Sequence, residues 1–147
     1  MGLDMYLTGN MYLSKYTNEK LQSDISVFFN EKIGEVKGVE FDVMYWRKAN
    51  AIHKWFVDNV QDGIDDCGTY GVAKSDLNEL RNALKSALDN KDKASELLPT
   101  QGGFFFGGTD IDEWYFKSIQ ETYERIDFIL THEDIFEDIQ FEYTSSW

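Results

Sequence analysis

The hydrophobic residues of this chain change their spacing several times along its 147 residues. They alternate with polar residues in some segments, which predicts strands, and recur every three or four positions in others, which predicts helices. These segments do not follow the regular strand-helix-strand order of a doubly wound parallel sheet. The sequence therefore predicts an α+β fold, in which a mainly antiparallel sheet packs with three or four helices.

One compact domain covering residues 1–147 is expected, because this length is typical of a single hydrophobic core. Hydrophobic residues make up 42% of the chain and aromatic residues 16%. That much apolar surface is enough to offset the conformational entropy lost on folding.

Strand-like alternation occurs in three places. Leu3, Met5 and Leu7 share one face, and the pattern resumes at Met11 after Gly9-Asn10, so a hairpin is predicted there. A second strand has alternating apolar residues, namely Val39, Phe41, Val43 and Tyr45. A third run covers Ile135 to Tyr143 and carries Ile139, Phe141 and Tyr143 on one face, although its first residues also suit a helix.

Helical spacing occurs in four places. A helix after Thr17 carries Leu21, Ile25, Phe28 and Phe29 and ends near Gly34. A second, from about Trp46, carries Ala49, Ile52, Phe56 and Val60. A third begins at a Ser75 cap and carries Leu77, Leu80, Leu84 and Leu88. The fourth follows the capping pair Asp110 and Glu113, and its inner stripe is Tyr115, Ile119, Thr122, Ile126 and Ile129.

Three phenylalanines, Phe104 to Phe106, stand between two glycine pairs. This composition predicts a short buried strand whose ends need unusual backbone angles or close approach. The segment lacks the glycine spacing of a phosphate-binding loop.

Acidic residues outnumber basic residues by 27 to 14, which gives a net charge of -13. Residues 108–147 hold eleven of the acidic residues and two of the basic ones. This field repels nucleic acids and anionic membranes, so neither is an expected partner. The carboxylates proposed to bind a partner are Asp110, Asp112, Glu113, Glu121, Glu124, Asp127, Glu133, Asp134, Glu137 and Asp138. The alternative is a solvated surface that only favours solubility.

A second candidate site is a polar cluster among aromatic residues: Trp46, Arg47, Lys48, Asn50, His53 and, further along the chain, Cys67. Such a cluster suits an anion-binding pocket. It equally suits a core edge where Trp and His satisfy buried polar groups. Cys67 follows two aspartates, which disfavour a reactive thiolate, so a buried structural cysteine is expected ahead of a Cys-His pair.

No metal or cofactor is expected. Asp62, Asp65 and Asp66 lack the spacing of a calcium loop, and His53 and His132 lack the spacing of zinc ligands. With a single cysteine, no signal-peptide pattern and no long apolar run, the chain is expected in a reducing cytoplasm, that of a host cell if the protein comes from a phage.

Several segments together resemble a family of small proteins encoded by bacteriophages, prophages and their hosts. They are MGLDMYL at residues 1–7, YWRKAN at 45–50 with His53 and WFV at 55–57, LLPTQ at 97–101, GFFFG at 103–107 and DEWY at 112–115. The resemblance extends from Met1 to about Leu130 and is weakest between Asn10 and Gly38. No biochemical activity is established for this family.

The implied phage origin favours a binding protein, since small acidic phage proteins often inhibit host defence machinery, as anti-CRISPR proteins do. The expected partner is a host protein such as a CRISPR effector nuclease, whose basic nucleic-acid channel would receive the carboxylates in place of phosphates. The alternative is a small-molecule-binding or nucleotide-binding protein, or an enzyme, with a pocket around Trp46, Arg47, Asn50 and His53.

Overall fold

Strand β1, Asp4–Tyr12, lies inside the sheet of a single α+β domain. The computed structural model describes residues 1–29, 32 and 34–147. The described strands form an antiparallel sheet in the order β2-β1-β4-β3, with β2 at Gly38–Arg47, β3 at Thr69–Val72 and β4 at Ile139–Ser146. The predicted fold class is therefore confirmed.

Six α-helices occur in the described residues: α1 (Glu19–Phe29), α2 (Asn50–Asn59), α3 (Lys74–Asp89), α4 (Ala94–Leu97), α5 (Glu113–Thr131) and α6 (Glu133–Phe136). The long helix α5 buries the predicted stripe, from Tyr115 to Ile129. Helix α3 buries Leu77, Leu80 and Leu84 as expected. The core lies between these helices and one face of the sheet.

Helix α1 differs from the others because most of its apolar residues are exposed. The prediction of a helix after Thr17 is confirmed, yet Leu21, Phe28 and Phe29 face solvent and Gln22 is the buried residue. The predicted end near Gly34 falls partly on residues 30, 31 and 33, which lie outside the described residues.

The predicted hairpin at Gly9-Asn10 is wrong, because β1 runs straight through both residues. Gly9 is explained by close packing against Phe41 instead of by a turn. A Cβ at Gly9 would lie 2.8 Å from the ring of Phe41 on β2, closer than a real Cβ approaches another atom. The glycine therefore lets the Phe41 ring lie against the β1 backbone.

A β-bulge in β2 reverses which side chains enter the core. Leu7 pairs with Met44 and Thr8 with Asp42, so Val43 is the extra residue. Beyond it, Trp46 is buried and Tyr45 is exposed, which corrects the prediction that Tyr45 continues the inner face. The predicted helix start at Trp46 is also wrong, since β2 continues to Arg47 and α2 begins at Asn50.

Other local predictions need smaller corrections. The segment around Phe105 forms a turn instead of a buried strand, with Phe104 96% exposed and Phe106 buried. Helix α3 starts after Ala73 instead of Ser75, and Asp112, not Asp110, caps α5 by accepting a hydrogen bond from the Tyr115 amide. No sequence pattern predicted β3, and α6 confirms the helical alternative before β4.

Two buried phenols lead to a prediction for alkaline conditions. Burial raises the pKa of Tyr115 to about 12. Burial first, and then the charge of Asp65, also raise the pKa of Tyr143. An unfolded tyrosine ionises near pH 10, so this stabilisation is complete below about pH 10 and is lost as the pH rises through the folded-state pKa.

We therefore expect the free energy of unfolding, measured in urea, to fall between about pH 10 and 12. Tyr115→Phe should make that fall shallower, whereas Tyr16→Phe, which alters an exposed ring, should leave it unchanged. Equal slopes in wild type and Tyr115→Phe would contradict the argument.

Candidate functional site

Eight of the ten predicted carboxylates lie on α5, on α6 or just after α6, and Asp110 and Asp112 precede α5. Nine of the ten are exposed, and Asp127 is half-buried. Glu113 and Glu124 lie about three helical turns apart on the outward side of α5, opposite the stripe that enters the core. Glu133, Asp134, Glu137 and Asp138 follow within and just after α6. The exposed carboxylates from Glu113 to Asp138 are called the acidic face below.

Few of these carboxylates are neutralised by a nearby cation. Among the described ion pairs, Asp127 bonds Arg81 at 3.2 Å and Glu121 lies 3.9 Å from Lys117. Asp127 therefore turns towards α3 and does not join the acidic face. Asp138 accepts a hydrogen bond from the Asn18 amide at 3.3 Å, which leaves its charge in place. The acidic face thus keeps most of its charge for a partner.

The second predicted cluster does not form one site. Trp46 is buried and donates its indole N–H to the Thr122 hydroxyl at 2.7 Å. Arg47 and Lys48 are exposed, while Asn50 and His53 are buried with separate partners. The bulge and the later helix start spread residues that appear close together in sequence over a strand, a turn and a helix.

Asn50 holds the phenylalanine turn against the start of α2. Its amide nitrogen donates to the carbonyls of Phe106 at 3.0 Å and Gly108 at 2.8 Å. Its amide oxygen accepts from the Gln101 N–H at 3.2 Å. The backbone of Gly107, at φ 85°, passes so close to Lys48 that an added Cβ would lie 3.2 Å from it. The turn is therefore fixed by a fully bonded amide and a glycine contact.

His53 lies in a buried chain of hydrogen bonds. Its Nδ1 is 2.7 Å from the Tyr143 hydroxyl, and its Nε2 is 3.0 Å from a carboxylate oxygen of Asp65. A carboxylate only accepts, so Nε2 carries the proton and Nδ1 accepts from Tyr143 when the ring is neutral. Asp65 also accepts from the Trp147 indole at 3.0 Å.

The hydrogen bonds from Tyr143 through His53 to Asp65 follow the donor, base and carboxylate order of a catalytic triad. Both His53 and Tyr143, however, are 0% exposed. The structure therefore favours the interpretation of His53 as a satisfied buried group. Tyr143, Asp65 and Trp147 were missed as partners, because they lie far from His53 in sequence or carry no signal for it.

Cys67 is exposed, which corrects the prediction of a buried structural cysteine. It takes a left-handed conformation with φ 59° in the loop before β3. The hydrogen bonds of His53 go to Tyr143 and Asp65, so the sequence alternative of a Cys-His pair gains no support.

A pocket of about 160 Å³ opens where the start of α2, the phenylalanine turn and the start of α5 meet. Lys48, Asn50, Asp110, Asp112 and Trp114 are among its lining residues. Asp110 and Asp112 thus face this pocket, apart from the carboxylates of the acidic face. Its walls combine an ammonium group, carboxylates and an indole ring that is 63% exposed.

Within residues 1–29, 32 and 34–147, no group of three or more His, Cys, Asp or Glu side chains is arranged to hold a metal ion. The helices in the same residues include none whose length and apolar character would let it cross a membrane.

Comparisons of the chain with models of known protein families, with curated proteins and with solved structures found no match.

Proposed function

We propose that the chain is a binding protein that places its acidic face against a positively charged surface of another macromolecule. The observation that carries the proposal is the run of exposed carboxylates along α5 and α6, most of which have no described cationic partner. Unpaired surface charge of one sign attracts a partner of the opposite sign and speeds its association.

In its specific form, the partner is a host defence nuclease such as a CRISPR effector, and the acidic face occupies its nucleic-acid channel. The resemblance to phage-encoded proteins supports this choice, and so does the net charge of -13, which matches the sign of the nucleic acid being replaced. Such an inhibitor acts one molecule per target and needs no catalytic residue.

Reversing the charge of Glu133, Asp134, Glu137 and Asp138 to lysine tests the proposal. We expect the variant to keep its fold by circular dichroism but to lose inhibition of effector nucleases in a DNA-cleavage assay. Wild-type inhibition should also weaken steeply as ionic strength rises, because exposed charges are screened by salt.

The matched control reverses four exposed carboxylates elsewhere, Asp24, Glu79, Asp92 and Glu96. It changes the net charge equally and should inhibit as the wild type does. If both variants lose inhibition, total charge matters and the acidic face is not shown to be the contact. If both keep it, the four reversed carboxylates of the acidic face are not the contact. If the wild type inhibits none of the nucleases, the specific form is wrong. If it also captures no salt-sensitive partner from bacterial lysate, the general form is wrong.

A second candidate function is the binding of a small ligand in the pocket beside Lys48 and Trp114. The small volume and mixed charge of this pocket favour a compact ligand that carries both an ionised group and an apolar part. The same charge-reversed variant separates the two functions, because it leaves the pocket intact. A metabolite that raises the melting temperature of wild type and variant equally would support the pocket.

A further inference from the structure

Strand β2 has an open edge. It pairs with β1 on one side, and no described strand pairs with its other side. The Lys48 N–H donates to the Leu3 carbonyl at 2.8 Å, so the residues in phase with Lys48, Met44 and Trp46, direct their main-chain groups towards β1. Tyr45 and Arg47 are out of phase, and their N–H and C=O groups point away from the sheet.

This open edge faces a trough, the two adjoining hollows between residues 42–47 of β2 and the facing side of α5. Their volumes are about 80 Å³ and 650 Å³, and Met44, Tyr45 and Glu121 line both. The smaller hollow is lined by both Tyr45, from the exposed face of the sheet, and Trp46, from the core face. Residues from the two opposite faces of a sheet can line the same hollow only at the edge of a strand. The trough therefore gives access to the unpaired N–H and C=O groups on the outer edge of β2.

The two walls match in length. Six residues of extended strand span about 20 Å. The stretch of α5 from Trp114 to Phe128, which lines the other side, is also about 20 Å long. The trough therefore has room for about six residues of extended chain lying beside β2.

The two hollows differ in charge. The smaller one is lined by Arg47 and Lys117 beside Glu121, so basic side chains of an occupant are expected in the wider one. The wider hollow is lined by Asp42, Glu121 and Glu124, against the single cation Arg125. Tyr45, Trp114 and Phe128 are exposed along the trough and offer apolar surface between the charges. Exposed aromatic residues of this kind are enriched where proteins meet.

We propose that the trough binds an extended basic segment of a partner protein, which adds to the edge of β2 as a fifth strand. The N–H and C=O groups of Tyr45 and Arg47 bind its backbone, and the carboxylates of the wider hollow select its basic side chains. The trough shares Glu121 and Glu124 with the acidic face. The inference goes beyond the proposed function, because it adds main-chain recognition at β2 and does not use the carboxylates of α6.

A fluorescent peptide of about six alternating lysines and valines is the probe, with binding followed by fluorescence anisotropy. The first control carries N-methyl groups on alternate amides, which keeps the charge but removes hydrogen-bond donors. The second control has glutamate in place of lysine. We expect the probe to bind at least about tenfold more tightly than either control, because each lacks one of the two recognition features.

Arg47→Pro removes an outward N–H from the protein while sparing the bonds to β1, since proline is tolerated on the outer side of an edge strand. It should weaken probe binding about tenfold relative to Arg47→Ala, which changes the same side chain but keeps the N–H. The α6 charge-reversed variant should bind the probe nearly as the wild type does. Failure of the acidic-face proposal is therefore distinguishable from failure of this one.

Equal binding of the probe and its N-methylated form would overturn strand addition, whether or not Arg47→Pro folds. Absence of probe binding would also overturn it. Sedimentation equilibrium tests whether a second copy of this chain binds at the β2 edge instead. A dimer that Arg47→Pro dissociates would show that it does, and this result would contradict the proposal.

Discussion

Asn50→Asp is expected to lower the free energy of unfolding by about 3 to 5 kcal/mol. The amide nitrogen of Asn50 donates to two carbonyl oxygens, those of Phe106 and Gly108. An aspartate at this buried position would aim a second acceptor, with a charge, at both of them. Asn50→Ala should cost less, because it leaves groups unpaired without adding repulsion.

Urea unfolding measures the effect. The control is Asn59→Asp on the same helix, where the amide nitrogen bonds a single carbonyl, that of Trp55, and the residue is exposed. It should cost about 1 kcal/mol or less. If Asn50→Asp is no worse than the control, Asn50 does not hold the phenylalanine turn.

The second large effect concerns His53 and Tyr143. His53→Ala is expected to destabilise the protein by about 3 to 4 kcal/mol, because it opens a cavity and leaves the buried Tyr143 hydroxyl without its partner. Tyr143→Phe removes that hydroxyl, so its cost should be smaller in the His53→Ala background than in the wild type. The expected coupling is about 1 to 2 kcal/mol.

A double-mutant cycle from urea unfolding gives this coupling directly. Tyr115→Phe is the control partner for His53→Ala, since the Tyr115 hydroxyl bonds the carbonyls of Leu98 and Ala94 and shares no described hydrogen-bond partner with His53. That pair should be additive. Coupling between His53 and Tyr143 no larger than in the control would mean that the 2.7 Å contact contributes little to stability.

The sequence predicted best those features that depend on neighbouring residues. The stripe of α5 from Tyr115 to Ile129 is a local repeat, and every predicted member is buried. The bulge at Val43 carries no such signal, because it depends on how β2 pairs with β1, and it exchanged the places of Tyr45 and Trp46. Gly9 looked like a turn residue for the same reason: its role is set by Phe41, on another strand.

The candidate site divides in the same way. Exposure of the carboxylates follows from charge alone and was predictable. The partners of His53 were not, since Tyr143 lies 90 positions away and is brought close only by the pairing of the sheet. The trough was likewise invisible in the sequence, because it lies between a strand edge and a helix joined by distant contacts.

The pairing of β1 with β4 has a consequence for synthesis. Thr8 and Glu142 are separated by 134 positions yet lie opposite each other. On the ribosome, β1 is synthesised before β4 and lacks this neighbour until β4 has been made. Until then, the strand that carries Leu3, Met5 and Leu7 has one edge without a hydrogen-bonded partner. We expect nascent chains stalled before β4 to bind chaperones and resist compaction, and chains in which β4 has left the ribosome to fold.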